Sequence, residues 1–62
     1  MKTLASSIAK NEYIIQTSSD NFEVNEAKEA IMDLNMRYDL SLEEMLALDD
    51  MVREILAKKL AS

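Results

Sequence analysis

The chain has 62 residues, a formal net charge of −5 and no glycine, proline, cysteine, histidine or tryptophan. This length builds one small domain, residues 1–62, that buries only about 60% of its unfolded surface, so a solitary core is marginal and oligomerisation is the natural support. Without Cys or His the disulfide frameworks and the usual zinc, haem and iron–sulfur ligand sets are excluded and no cofactor or metal is expected, while a pI near 4.5 argues against nucleic acid.

Lack of glycine and proline removes the residues on which tight hairpin turns depend, which favours an all-α fold. No apolar run approaches the roughly 20 residues a bilayer requires, and the opening Met1 to Ser7 is too short and polar for a signal-peptide core. No membrane contact and a cytoplasmic location are therefore expected.

The N-terminal segment, residues 1–17, is the most ambiguous. Leu4, Ile8 and Ile15, with Ala5 and Ala9 beside them, fit a helical face over residues 4–15, and Thr3 is placed to cap it. Tyr13, Ile14 and Ile15 are strand formers, so a short strand over residues 12–17 is the alternative. The polar residues Gln16 to Asn21 form a turn-like cluster, and residues 18–21 read as the linker. Asp20 followed by Glu23 resembles a capping box, which starts the next helix near Asn21, with Asn25 as a second possible start.

From Phe22 to Tyr38 the residues Val24, Ala27, Ile31, Leu34 and Tyr38 recur at spacings of three and four, a narrow seam of coiled-coil type. Only Asp39 and Leu40 separate this stretch from Ser41, a connection short enough to predict an antiparallel helical hairpin (residues about 21–38 and 41–60) with the seam facing the next helix. Phe22, Met32 and Met36 fall outside the seam as a second apolar patch.

The clearest helix runs from Ser41 to Leu60. Ser41 and Glu44 form a capping box, acidic Glu43, Glu44, Asp49 and Asp50 crowd its first half, and Lys58 and Lys59 close its last turn, an order that suits the helix dipole. At 100° per residue its apolar side chains, including Leu42, Met45, Leu46, Leu48, Val52, Ile55, Leu56 and Leu60, sweep about 220°, roughly twice the stripe that one neighbour covers. Tyr38, Met45, Leu48 and Ile55 are assigned to the core with Val24, Ala27, Ile31 and Leu34. The surplus (Leu42, Leu46, Val52, Leu56 and Leu60, with Phe22, Met32 and Met36) is assigned to a dimer or partner interface. Two hairpins pairing as a dimeric four-helix bundle would cover it; a monomeric three-helix bundle, with the N-terminal segment laid over the last helix, is the other solution.

No catalytic constellation emerges. Asp49 and Asp50 point about 100° apart on a helix and do not share one small ion unaided. The serines have no histidine to activate them, and phosphate-cradling loops need the glycine this chain lacks. The chain is read as a non-enzyme.

The stretch Tyr38-Asp39-Leu40-Ser41-Leu42-Glu43-Glu44-Met45-Leu46-Ala47-Leu48-Asp49 resembles the hairpin of the small aspartyl-phosphate phosphatases that act on sporulation response regulators, the similarity covering about residues 27–57. Their pattern is similar to Y-G-L-x-S-x-E-V-L-x-L-S followed by Q-E-L-D. The resemblance implies a helical hairpin that binds a signalling protein. The family's signature falls on residues 49–53, here D-D-M-V-R, so that Arg53 stands where the key acidic residue belongs and no catalytic residue carries across.

The resulting expectation is a small acidic helical protein–protein interaction module, a regulator or inhibitor that binds a protein partner and self-associates as a homodimer. An acidic inhibitor, antitoxin-like, docking on a basic surface is the second expectation, and phospho-aspartate hydrolysis the third.

Overall fold

The computed structural model describes residues 2–62; Met1, the first residue of the predicted N-terminal segment, lies outside the described residues. Three helices follow in order, α1 (Lys2–Thr17), α2 (Asn21–Arg37) and α3 (Leu42–Ala61), with no strand among the described residues. The all-α expectation holds, and the strand alternative for residues 12–17 is excluded because α1 continues through Tyr13, Ile14 and Ile15. It runs longer than residues 4–15 and places Thr3 inside its first turn, so Thr3 is not the cap.

The helix starts follow local chemistry. At α3 the capping box forms as the sequence requires: Glu44 N–H donates to Ser41 Oγ at 3.2 Å, and Ser41 N–H donates to Glu44 Oε1 at 3.0 Å. The bond from Ser41 N–H to the ionised carboxylate, with a smaller contribution from the Ser41 hydroxyl, holds the Glu44 pKa below its ordinary value. At α2 the cap differs from the expectation. Asp20 Oδ1 accepts from Phe22 N–H at 3.0 Å, but Asp20 N–H donates to Ser18 Oγ at 3.1 Å instead of to Glu23. Ser18, the first residue of the predicted linker, supplies the second half of the motif. The helix begins at Asn21, which excludes the start at Asn25.

The tertiary arrangement departs from the predicted hairpin packing. Helices α2 and α3 each pack on α1, and among the described residues no Cα of α2 comes within 8 Å of one in α3. A short connection brings helix ends together without fixing the angle between the axes, and Tyr38, extended at φ −113° and ψ 125°, lets α3 depart from α2. The Cα envelope is 34 × 26 × 15 Å, a flattened slab with α1 in the middle.

The core consists of Leu4, Ala5, Ile8 and Ala9 on α1 against Leu48 and Val52 on α3, with half-buried Leu34, Leu40 and Ile55 around them. Ala5 and Ala9 are wholly inaccessible. With only a methyl each, they let neighbouring backbones approach closely, and Ala27 is the one buried residue of α2.

This core corrects several assignments. Tyr38 and Met45, expected inside, are exposed, because the α2–α3 interface that would have enclosed them does not form. Val24, Ile31, Leu34 and Ile55 are half-buried, while Ala27 and Leu48 are buried as expected. Val52, expected at an interface with another chain, is sealed against α1 within its own chain.

Candidate protein-binding groove

Because α1 holds α2 and α3 apart, a trough of about 620 Å³ opens between them. Ile8 and Glu12 of α1 form its floor, Ile31 and Asn35 of α2 with Tyr38 just past its end one wall, and Leu42, Met45, Leu46 and Asp49 of α3 the other. Asp39 and Leu40 close one end.

The walls are apolar and wet. Leu42, Met45 and Leu46 are 73%, 56% and 60% exposed, and Tyr38 across from them is 47% exposed. Single exposed apolar residues are ordinary, but a contiguous set lining a concave surface is how binding grooves for helices are built. The charged residues of the lining are Glu12, Asp39 and Asp49, all acidic, with no Lys or Arg among them. The rim therefore carries one sign of charge around an apolar bed.

Charges on the helices are otherwise arranged along their own surfaces. Arg37 pairs with Asp33 at 2.8 Å, Arg53 with Asp49 at 3.1 Å and Lys58 with Glu54 at 3.7 Å, all one turn apart and solvent-exposed. Such pairs contribute a few tenths of a kcal/mol each, about 0.3–0.5 before salt screening. The Asp49–Arg53 pair sets that carboxylate against a guanidinium on its own helix.

Of the predicted interface residues, Leu42, Leu46 and Leu60 are exposed on α3, Leu56 is half-buried, and Val52 is withdrawn into the core. Phe22, Met32 and Met36 are exposed on α2, Met36 most of all at 84%. At 100° per residue these three lie on the side of α2 away from Ala27 and Leu34, so they form a patch separate from the groove. Tyr38 and Met45, expected in the core, line the groove instead; their places beside Leu40 and Leu42 at the α2–α3 connection are the signal in the sequence. Among the described residues no three carboxylates gather as a metal-binding set, and no helix is long and apolar enough to cross a membrane.

No family model, curated protein or solved structure matches this chain.

Proposed function

We propose that this chain is a small, non-catalytic protein–protein interaction module, a regulator or inhibitor that self-associates through the outward face of α3 and presents the remaining apolar surface to a protein partner. The observation that carries this reading is the apolar wall of Leu42, Met45 and Leu46, left open beside a core that buries few side chains. A chain this small gains stability by covering such a surface with another helix, and a fourth helix in the groove makes a four-helix bundle. A homodimer is the simplest supply of that helix. The patch of Phe22, Met32 and Met36 on α2 then stays available to a second protein, methionine being suited to adaptable contacts.

Sedimentation equilibrium across micromolar concentrations tests the first part. A mass of twice 7.1 kDa is expected, and a monomer mass throughout removes self-association from the reading.

The all-acidic groove rim and the net charge of −5 favour one further reading, an inhibitor seated on a basic protein surface. It predicts binding that weakens steeply as salt is raised, whereas apolar helix packing responds little. The likeness to aspartyl-phosphate phosphatases contributes only the idea that the partner is a signalling protein; the Arg53 reversal gives no support to hydrolysis.

A further inference from the structure

The outward face of α3 carries a pattern that specifies how two copies meet. Leu42, Leu46, Asp49, Arg53, Leu56 and Leu60 recur at spacings of four, three, four, three and four, the period of a coiled-coil seam. All six avoid the buried core, and Leu56 alone is even half-buried. The order is the same read from either end: two leucines, two charges, two leucines, centred on Met51, with opposite signs at the two charged positions.

We infer that the chain forms an antiparallel two-fold dimer along this seam, in the register that superposes the two Met51 positions. This rests on the self-association proposed above and adds its orientation and register. Laid antiparallel, Leu42 of one copy meets Leu60 of the other, Leu46 meets Leu56, and Asp49 meets Arg53, each contact occurring twice by symmetry. A parallel pairing in register sets Asp49 on Asp49 and Arg53 on Arg53, which repels instead of attracting. Charge complementarity thus selects the orientation, and a polar layer inside an apolar seam selects the register.

Within one copy, Asp49 and Arg53 are already oriented by their 3.1 Å pair, with side chains 55% and 76% exposed and free to take a second partner. In the dimer the four charges form one closed network. Asp50 flanks the two-fold axis on the solvent side, where screening keeps its repulsion small. The same register carries the last turn of one copy, with Leu60, to the mouth of the other's groove beside Leu42.

Engineered thiols test the orientation cleanly, because the chain has no cysteine of its own. Under mild oxidation, Leu42→Cys mixed with Leu60→Cys is expected to give a disulfide-linked dimer, while Leu42→Cys alone gives none. Two copies of position 42 lie about 27 Å apart in this register, far beyond the roughly 7 Å between Cα atoms that a disulfide spans.

Sedimentation equilibrium tests the charge layer. Arg53→Asp and Asp49→Arg are each expected to weaken the dimer about tenfold or more. An equimolar mixture of the two is expected to associate again, and the double swap to associate as the wild type does. Far-UV circular dichroism of each variant shows that the helices persist. Self-linking of Leu42→Cys, or a dimer indifferent to both charge reversals, overturns the register while leaving self-association standing. A wild-type chain that sediments as a monomer overturns both.

Discussion

Truncating Leu48 and Leu46, two positions apart on α3, separates the inner and outer faces of that helix by a measurable amount. Leu48 is 6% exposed and packed among Leu4, Ala5, Ile8, Ala9 and Val52. Leu→Ala in a core costs about 2–5 kcal/mol, and a thin slab closes around the cavity more readily than a thick core, so Leu48→Ala is expected near the lower end, about 2–3 kcal/mol. A chain of this length has a total stability of about 3–9 kcal/mol, so the substitution removes from roughly a fifth of it to nearly all of it. With a urea dependence of about 1 kcal/mol per molar, the unfolding midpoint falls by about 2–3 M. Leu46, 60% exposed, realises less than half of the roughly 1.5–3 kcal/mol that full burial supplies, so Leu46→Ala costs about 1 kcal/mol or less in the monomer. In the proposed dimer the rest is covered, so there the Leu46→Ala loss grows with concentration while the Leu48→Ala loss is largely independent of it. Urea unfolding followed by far-UV circular dichroism, at two protein concentrations differing roughly a hundredfold, measures both. Equal losses for the two variants at the lower concentration would refute the placement of Leu48 inside and Leu46 on the groove wall.

Ser41→Ala removes the side-chain half of the α3 cap and is expected to cost about 1 kcal/mol in the same unfolding assay. The Glu44 pKa is lowered in the folded chain, so its contribution is present above the unfolded carboxylate pKa and is lost as pH falls through the lower folded value; an NMR titration of the Glu44 carboxyl carbon is expected to move back toward the ordinary pKa in Ser41→Ala. Ala9→Leu forces a large side chain between α1 and its neighbours where no surface is exposed, and a loss of about 1–3 kcal/mol is expected in thermal melts. Met32→Asp with Met36→Asp is expected to leave stability within about 0.5 kcal/mol and the sedimented mass unchanged, since both side chains are exposed away from the α3 seam. A lowered mass in that variant would move the dimer contact onto α2.

How much of the fold is legible in the sequence depends on how each signal is carried. The α3 cap is written in two residues, Ser41 and Glu44, that need only each other, and the start of α2 in Asp20, so both were legible. The importance of α1 was not. Its buried face includes Ala5 and Ala9, whose side chains add little to an apolar periodicity although both are completely buried. Large residues such as Tyr13, Ile14 and Ile15 drew attention to the half of α1 that contributes none of its buried side chains. The seam on α2 was real as a helical pattern, yet spacing alone does not name the helix it meets. Assigning it to α3 placed Tyr38 and Met45 inside and Val52 outside. The apolar surplus on α3 was legible as an excess; which part of it α1 would cover depended on a tertiary choice that local pattern does not encode.

Since the backbones of α2 and α3 each approach α1 and not each other, the three helices are joined mainly as a linear chain of two interfaces, not a closed ring. In a ring, detaching one member breaks two interfaces at once; here, lifting α2 away breaks one, exposing Ala27 while the α1–α3 core around Leu48 and Val52 stays together. Partial opening at that joint therefore costs less than global unfolding. Amide protons of α2, which buries Ala27 alone, should exchange with solvent ahead of those in α1 and α3, whose buried side chains face each other.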